Sequence, residues 1–208
     1  MFVKICGIAN AEDAQAVAEL QPDAMGFIFW SGSPRCVQPG DVRKWMKEVP
    51  PTVLRIGVFV DEEPEVINKV IARAGLNIVQ LHGSEARETV RRISGLCWKI
   101  VHLDRMGVEE ADAYPGMALL IDKYNDEMPG GTGEVADWEK AAQFVEASKR
   151  KVMLAGGVNP ENVGEAIRQV RPFGVDVSSG VEREPGRKDL EKVEAFIRES
   201  RAADEITR

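Results

Sequence analysis

The feature of this sequence that most constrains its fold is the regular alternation of short apolar runs with helical patterns. Eight such runs recur along the chain, and several are rich in Val and Ile, which favour strands. Most are separated by segments with apolar residues at helical spacing, such as 163–170, so the pattern predicts parallel strands linked by helices. The runs are Phe2–Ile5, Ala24–Ile28, Leu54–Val60, Ile78–Leu81, Cys97–Val101, Ala118–Ile121, Val152–Ala155 and Gly174–Val177.

Eight strand–helix units are the number that a closed (β/α)8 barrel needs, and 208 residues lie near the lower end of its size. We therefore predict an α/β chain that forms a single TIM barrel domain over residues 1–208. Only Gly107–Ala113 is available for the fifth helix, so that helical unit is predicted to be abbreviated. An open doubly wound sheet is the alternative, but "CGIANA" is a poor match to the Gly-rich phosphate loop that such a sheet usually carries after its first strand.

Residues with capping chemistry mark the predicted helix starts. Asn10 is suited to cap a helix that begins near Ala11. In "NPEN" we place Asn159 at the N-cap and Pro160 at the first helical position, where its missing N–H costs nothing. Asp189 is predicted to cap the last helix.

Composition argues against several classes of protein. Acidic residues outnumber basic ones by 34 to 27, which argues against a nucleic-acid partner. The three cysteines are odd in number and contain no CxxC pair, so we predict free thiols in the cytoplasm, with neither a disulfide framework nor a zinc knuckle. No apolar run reaches membrane-spanning length, and Lys4 interrupts the apolar N-terminal stretch, so we expect no membrane association and no signal peptide.

Glycine clusters follow the last three predicted strands, at 129–133, 155–158 and 178–182. In a barrel the reactive groups come from the C-terminal ends of the strands, and the loops after strands 7 and 8 frequently hold phosphate. Glycine lets backbone N–H groups approach a phosphate closely, although tight turns alone would also explain these clusters. We predict a phosphate site formed by Gly156, Gly157, Ser178, Ser179 and Gly180.

A cysteine stands where the first predicted strand, within "FVKICGI", ends. Alternation along the strand places Lys4 and Cys6 on the same face, so if Cys6 faces the barrel mouth, Lys4 points inward one layer below. A buried lysine needs a partner, and Asp176 on strand 8 is the natural candidate because strand 8 closes against strand 1. A nearby ammonium would favour a thiolate at Cys6, whereas a cysteine in such a strand is most often only a core residue.

Other strand ends carry polar side chains as well. Asp122 ends strand 6 and precedes a long irregular loop, which makes it an acid–base candidate or simply a cap. Gln80 and His82 share one face at the end of strand 4, and we assign them a binding role together with Asp176. Arg35, in the loop "SGSPRC" after strand 2, is able to clamp a carboxylate with two hydrogen bonds or is a surface charge.

Together these motifs resemble the phosphoribosylanthranilate isomerase family of tryptophan biosynthesis. The resemblance runs in order from residue 4 to 189, and it is carried by "KICGIANAEDA", "DAMGFIFWSGSPR", "GVFVD", "VQLHG", "LLID", "GGTG", "LAGGVNPENV" and "GVDVSSGVEREPGRKD". It implies a (β/α)8 barrel with a reduced fifth helical unit. This sequence departs from the family pattern at Cys36, where an aromatic residue is common, and at Lys123 and Tyr124 after "LLID".

The resemblance implies an Amadori rearrangement of an aminoaldose to an aminoketose, catalysed in the cytoplasm by general acid–base chemistry. The implied general base is Cys6, the implied general acid is Asp122, and Arg35 is implied to receive the anthranilate carboxylate of the phosphosugar substrate. The rearrangement involves no net electron change, so we expect no cofactor, and we find no ligand cluster for a metal.

Other functions remain possible on the residues alone. A lyase would need a catalytic lysine and glutamate pair at strand ends, and a pentose-phosphate epimerase would need more histidines than the two present. A non-catalytic binding barrel would keep the glycine loops without Cys6 and Asp122. The sequence leaves open whether the protein is a monomer or homodimer, in which Trp30 or Trp45 would mark an interface or cover the barrel, and whether a histidine-pathway aminoaldose is accepted.

Overall fold

Closure of eight parallel strands into a barrel defines the architecture. The structure is a computed structural model that describes residues 1–122 and 137–207. Each strand pairs with its neighbour in chain order, and β8 pairs with β1 to complete the ring, so the prediction of a closed (β/α)8 barrel is confirmed. The strands are β1 Phe2–Ile5, β2 Ala24–Ile28, β3 Leu54–Phe59, β4 Ile78–Leu81, β5 Leu96–Val101, β6 Ala118–Ile121, β7 Lys151–Leu154 and β8 Gly174–Val177.

Helices follow the strands and vary widely in length. As predicted, α5 is abbreviated to five residues, and α4 is equally short, which the sequence analysis did not anticipate. After β8 the chain forms a 3-10 turn, Ser179–Val181, and a small antiparallel pair of strands, β9 Glu182–Glu184 and β10 Arg187–Lys188. The α-helices are α1 Ala11–Glu19, α2 Pro39–Trp45, α3 Pro64–Ala74, α4 Arg87–Arg91, α5 Val108–Asp112, α6 Trp138–Ala147, α7 Val163–Val170 and α8 Leu190–Thr207.

Two of the three predicted caps are confirmed. Asn10 accepts a hydrogen bond from the Asp13 backbone N–H at 2.8 Å and begins α1, and Asp189 accepts one from the Lys192 N–H at 3.2 Å in α8. The prediction for α7 was wrong, because this helix begins three residues beyond Pro160 with Asn162 at its N-cap. The Asn159 side chain instead accepts from the N–H of Asn162 at 3.0 Å, which closes a separate turn before the helix.

The barrel interior changes from apolar to polar toward the C-terminal ends of the strands. Side chains that alternate inward from the strands fill the lower part, and the outward side chains pack against the helices. Higher up, the buried polar side chains of Lys4, Gln80 and Asp176 replace the apolar filling. The lower interior cluster comprises Ala24, Ile56, Ile78, Trp98, Ile100, Ala118, Leu120, Met153 and Ala155.

Leucine truncation measures how much the closed interior stabilises the fold. We expect Leu120→Ala to lower the free energy of unfolding by about 2–5 kcal/mol, because the fully buried side chain leaves a cavity. The matched control is Leu96→Ala, whose side chain is 54% exposed and whose loss should cost less than about 1 kcal/mol. Denaturant unfolding of both variants measures the difference, and equal losses would contradict this assignment of the core.

Candidate functional site

One pocket at the C-terminal end of the barrel brings together all the side chains singled out in the sequence. Its wall contains each of the eleven predicted site residues, although they come from six different strand ends. This convergence follows from the parallel sheet, since every strand delivers its C-terminal end to the same face of the barrel. The eleven are Cys6, Arg35, Gln80, His82, Asp122, Gly156, Gly157, Asp176, Ser178, Ser179 and Gly180.

A buried ion pair lies beneath the cysteine. Lys4 is fully buried in the barrel interior, and its Nζ lies 2.5 Å from Oδ2 of Asp176 on the neighbouring β8, as predicted. Cys6 follows β1 and stays aligned with β8 through a 2.7 Å hydrogen bond from its N–H to the Val177 carbonyl. Gly26 on β2 leaves room for both side chains, because a Cβ there would lie 2.6 Å from the Cys6 Sγ.

The protonation of Cys6 reflects two opposing influences. Burial raises the pKa of the thiol above its ordinary value, and the Lys4 ammonium partly offsets this by favouring the thiolate. Lys4 does act to lower the pKa of Cys6, as expected, but the prediction of a lowered pKa was wrong because burial raises it by more. Without a bound ligand the thiol form predominates at neutral pH.

Asp122 lies between the two histidines of the chain. Nε2 of His82 is 3.5 Å from Oδ2 of Asp122, and Nδ1 of His102 is 3.3 Å from the Asp122 carbonyl oxygen. Burial lowers the pKa of His102, which favours its neutral form. Nδ1 of His82 lies 3.1 Å from Nε2 of Gln80, and this contact fixes the imidazole against the wall.

The glycine loops after β7 and β8 form the rim beside Cys6. Gly156 and Gly157 both have positive φ, 80° and 71°, a backbone conformation that other residues rarely adopt. The Asn162 side chain donates to the Gly157 carbonyl at 3.0 Å and holds this loop in place. Gly180 is packed so tightly that a Cβ would lie 2.3 Å from the Val158 carbonyl oxygen, so the two loops are in contact.

Four buried polar atoms on the pocket wall have no hydrogen-bond partner within residues 1–122 and 137–207. They are Oε1 of Gln80, Nε2 of His82, Oδ1 of Asp176 and Oγ of Ser178. Unpaired buried polar atoms are costly, so such a set is expected where a bound molecule supplies the missing partners. Because the Gln80 and Asp176 oxygens accept hydrogen bonds, they favour a ligand that carries donors such as hydroxyl groups.

Several residues at the site were not predicted from the sequence. Trp30, considered there as an interface residue, is half-buried and lines the pocket beside Ser33. Glu182 forms an ion pair with Arg35, and Lys188 forms one with Glu182. No pattern in the sequence after β8 predicted either contact. An apolar strip of Ile28, Val58 and Val60 completes one wall, and alternation along the strands is the sequence signal that could have found it.

Some predictions fall outside the described residues, namely the glycine cluster at 129–133 and the loop that begins at Lys123. Within the two described ranges, no group of three or more His, Cys, Asp or Glu side chains is arranged to hold a metal ion. No helix in the described part of the chain has the length and hydrophobicity required to span a membrane.

Comparison with known proteins points to one family. The family described as N-(5'phosphoribosyl)anthranilate (PRA) isomerase matches residues 3–199. A protein of this name from Trichlorobacter lovleyi is 43% identical over 202 residues, which cover 97% of this chain and 98% of the relative.

Two solved structures share the barrel as well. A phosphoribosyl anthranilate isomerase in complex with reduced 1-(o-carboxyphenylamino)-1-deoxyribulose 5-phosphate is 42% identical, with a TM-score of 0.83 and coverage of 96% of this chain and 98% of that one. The second structure describes monomers generated from the dimeric enzyme of Thermotoga maritima, and it is 41% identical with the same TM-score and coverage.

The opposing influences on Cys6 predict a measurable pH dependence of its alkylation. Because burial raises its pKa, Cys6 should react with iodoacetamide only above the pH at which an ordinary thiol does. Lys4→Met should move this midpoint further upward, since it removes the cation that favours the thiolate. The matched control is Lys99→Met, which removes another buried lysine, paired with Glu85 at 2.7 Å outside the site. Mass spectrometry of the labelled peptide measures each midpoint, and a wild-type midpoint at the pH of an ordinary thiol would show that burial does not raise the pKa of Cys6.

Proposed function

Since the chain belongs to the N-(5'-phosphoribosyl)anthranilate isomerase family, we propose that Cys6 and Asp122 carry out the two proton transfers of its reaction. The chain is an aldose–ketose isomerase of tryptophan biosynthesis. It converts N-(5'-phosphoribosyl)anthranilate to 1-(2-carboxyphenylamino)-1-deoxyribulose 5-phosphate by an Amadori rearrangement. The observation that supports the assignment is the placement of a thiol and a carboxyl group on the wall of one pocket, between an arginine and two glycine-rich loops.

Ring opening is the first step. Asp122, in its protonated form, donates to the ribose ring oxygen, and the bond from that oxygen to C1' breaks. The nitrogen lone pair moves into the C1'–N bond and forms an iminium cation. His82 is the side chain placed to orient this carboxyl group, with its Nε2 3.5 Å from Oδ2 of Asp122.

Proton abstraction follows at C2'. The iminium cation acidifies the C2' proton, and the Cys6 thiolate removes it to give an enolamine. Because the free thiol is held in its neutral form by burial, the developing cation itself supplies the charge that favours the thiolate. Protonation at C1' and loss of the 2'-hydroxyl proton then give the ketone.

Because Cys6 rests as the neutral thiol, its proton must pass to the Asp122 carboxylate once the substrate is bound, which forms the thiolate and the carboxylic acid together. At the end of the turnover Cys6 has gained the C2' proton and Asp122 has lost its own, so both groups are back in their resting forms. The buried Asp176 carboxylate lies in the electrostatic range of both groups. Its Oδ1 has no other partner in the described residues and is free to hold a substrate hydroxyl during the cycle.

The two ends of the substrate match the two ends of the pocket. Arg35 receives the anthranilate carboxylate, since a guanidinium binds a carboxylate with paired hydrogen bonds. The loops at Gly156–Gly157 and Ser178–Gly180 receive the phosphate through backbone N–H groups. Gln80 and His82 line the wall between the two ends.

Other properties of the chain follow as part of the same proposal. We place the enzyme in the cytoplasm as one domain over residues 1–208, without nucleic-acid partners. The related Thermotoga maritima enzyme is described as dimeric, which supports a homodimer here over a monomer. Neither proton transfer requires a metal or an organic cofactor.

Substitution of the two proposed acid–base residues tests the mechanism. Cys6→Ser and Asp122→Asn should each reduce kcat by at least about a hundredfold, because general acid–base catalysis by one residue contributes about 10²–10⁴-fold. Turnover of freshly prepared substrate is followed by the loss of anthranilate-type fluorescence. The matched controls Cys36→Ser and Cys97→Ser should retain wild-type activity. An inactive wild type that still binds the reduced product analogue would identify a binding barrel instead.

Crowding at Gly180 tests the phosphate site. Gly180→Ala should push the β7 and β8 loops apart, because the new Cβ would lie 2.3 Å from the Val158 oxygen. We expect inhibition by inorganic phosphate to weaken by about tenfold, the loss of a single charge-assisted hydrogen bond. Gly164→Ala on α7 serves as the control, since its Cβ would meet only ordinary contacts. Unchanged phosphate inhibition in Gly180→Ala would place the phosphate elsewhere.

A further inference from the structure

The arginine proposed to bind the substrate carboxylate already has a carboxylate partner within the protein. Nε of Arg35 donates to Oε1 of Glu182 at 2.8 Å, and Nη2 donates to Oε2 at 2.6 Å. A guanidinium has five N–H donors in a planar fork, so Glu182 takes one edge and leaves the Nη1–Nη2 edge for a second carboxylate. Both side chains are less than a tenth exposed, which keeps water from competing for the bond.

Glu182 is in turn held by a second buried cation. Nζ of Lys188, whose side chain is fully buried, lies 2.9 Å from Oε1 of Glu182. The Gly186 N–H donates to the same oxygen at 3.4 Å. Lys188 also donates to the Ser178 carbonyl at 3.1 Å, which connects this group of charges to the proposed phosphate loop.

The charges of this group are matched so that one anion lies between two cations. Burial alone would raise the pKa of Glu182, but the hydrogen bonds from Arg35 and the charge of Lys188 outweigh it and lower the pKa below its ordinary value. Glu182 is therefore ionised at neutral pH. Burial lowers the pKa of Lys188, and Glu182 opposes this change. With Lys188 as an ammonium, the trio of Arg35, Glu182 and Lys188 carries a net charge of one positive unit, which a single substrate carboxylate neutralises.

We propose that Glu182 and Lys188 are positioning residues for the substrate carboxylate, with Glu182 fixing the plane of the Arg35 guanidinium and Lys188 fixing Glu182. The inference rests on the proposed role of Arg35. Lys188 also links the carboxylate end of the site to the phosphate end, because it contacts both Glu182 and the Ser178 carbonyl. A fixed guanidinium loses less conformational freedom on binding, so the arrangement favours substrates that carry a carboxylate.

The test compares two inhibitors in two glutamate variants. The inhibitors are the reduced product analogue and the same molecule without its carboxylate. In Glu182→Gln we expect KM to rise by about tenfold with kcat within about threefold, and the preference for the carboxylated inhibitor to fall by about tenfold, as for one lost charge-assisted hydrogen bond. Glu182→Asp keeps the negative charge, but its shorter side chain cannot reach Arg35 in the same geometry. We expect it, too, to reduce the preference for the carboxylated inhibitor.

Glu184→Gln is the matched control for these variants, because Glu184 is exposed and lies two residues along the same strand. It should keep the wild-type KM and inhibitor preference. Binding of the inhibitor without the carboxylate should be unchanged in all three variants, which a general loss of structure would not allow. If Glu182→Gln does not fold, the Glu182→Asp variant alone decides the outcome.

Lys188→Met tests the connection to the phosphate loop. It should weaken binding of both the carboxylated inhibitor and inorganic phosphate, each by about fivefold to tenfold, because Lys188 contacts both sides. The control is Lys192→Met, an exposed lysine whose Nζ donates to the Glu182 backbone carbonyl at 3.4 Å and not to its carboxylate. Weakened binding of only one ligand, or of neither, would overturn the proposed link.

Arg35→Met separates failure of this inference from failure of the proposed function. If Arg35→Met leaves the inhibitor preference unchanged, the carboxylate assignment itself is wrong. If it abolishes the preference while Glu182→Gln leaves it unchanged or increases it, Glu182 only competes for the arginine and the inference is overturned. The double variant Arg35→Met and Glu182→Gln should match Arg35→Met alone, because residues that act through one group are not additive.

Discussion

The pairing of β8 with β1 is the constraint on which the rest of the structure depends. It closes the barrel, and its register sets Lys4 opposite Asp176, so that two charges meet in the interior at 2.5 Å. Without closure, neither charge would have a partner, and a buried unpaired lysine is strongly destabilising. The same pairing carries Cys6 to the end of the sheet beside the loop after β8, so the proposed general base and the proposed phosphate site depend on one strand contact.

The site is built from buried charges that are almost fully satisfied by one another. Lys4 pairs with Asp176, while Glu182 lies between Arg35 and Lys188, so each buried charge in these groups has an opposite partner. The unpaired atoms that remain, such as Oδ1 of Asp176, face the pocket. This division limits the cost of burying the charges and still leaves acceptors for a polar ligand. Cys6 is a thiol at rest for a different reason, since burial disfavours the thiolate by more than the charge of Lys4 favours it.

Prediction from sequence succeeded where local periodicity and chain order carry the information. The strands and the short fifth helix follow from hydrophobic alternation, and the Lys4–Asp176 pair follows from alternation combined with closure of the ring. The start of α7 was misplaced because Asn159 is equally able to cap a helix or to close an isolated turn. The pKa of Cys6 was misjudged because the degree of burial, which exceeds the effect of Lys4, is a property of the packed barrel.

By itself the sequence determined the order of the strands, the inward face of each and hence the residues that can reach the barrel mouth. Those features are local, since a period of two along a strand is independent of its neighbours. Tertiary structure alone decided that Glu182 and Lys188 belong to the site, because Glu182 contacts Arg35 from 147 residues away in the chain and Lys188 is connected to Arg35 only through Glu182. Such contacts decide which edge of the Arg35 guanidinium stays open, and burial decides that the Cys6 thiol stays protonated. The contacts and the burial arise only when the barrel closes.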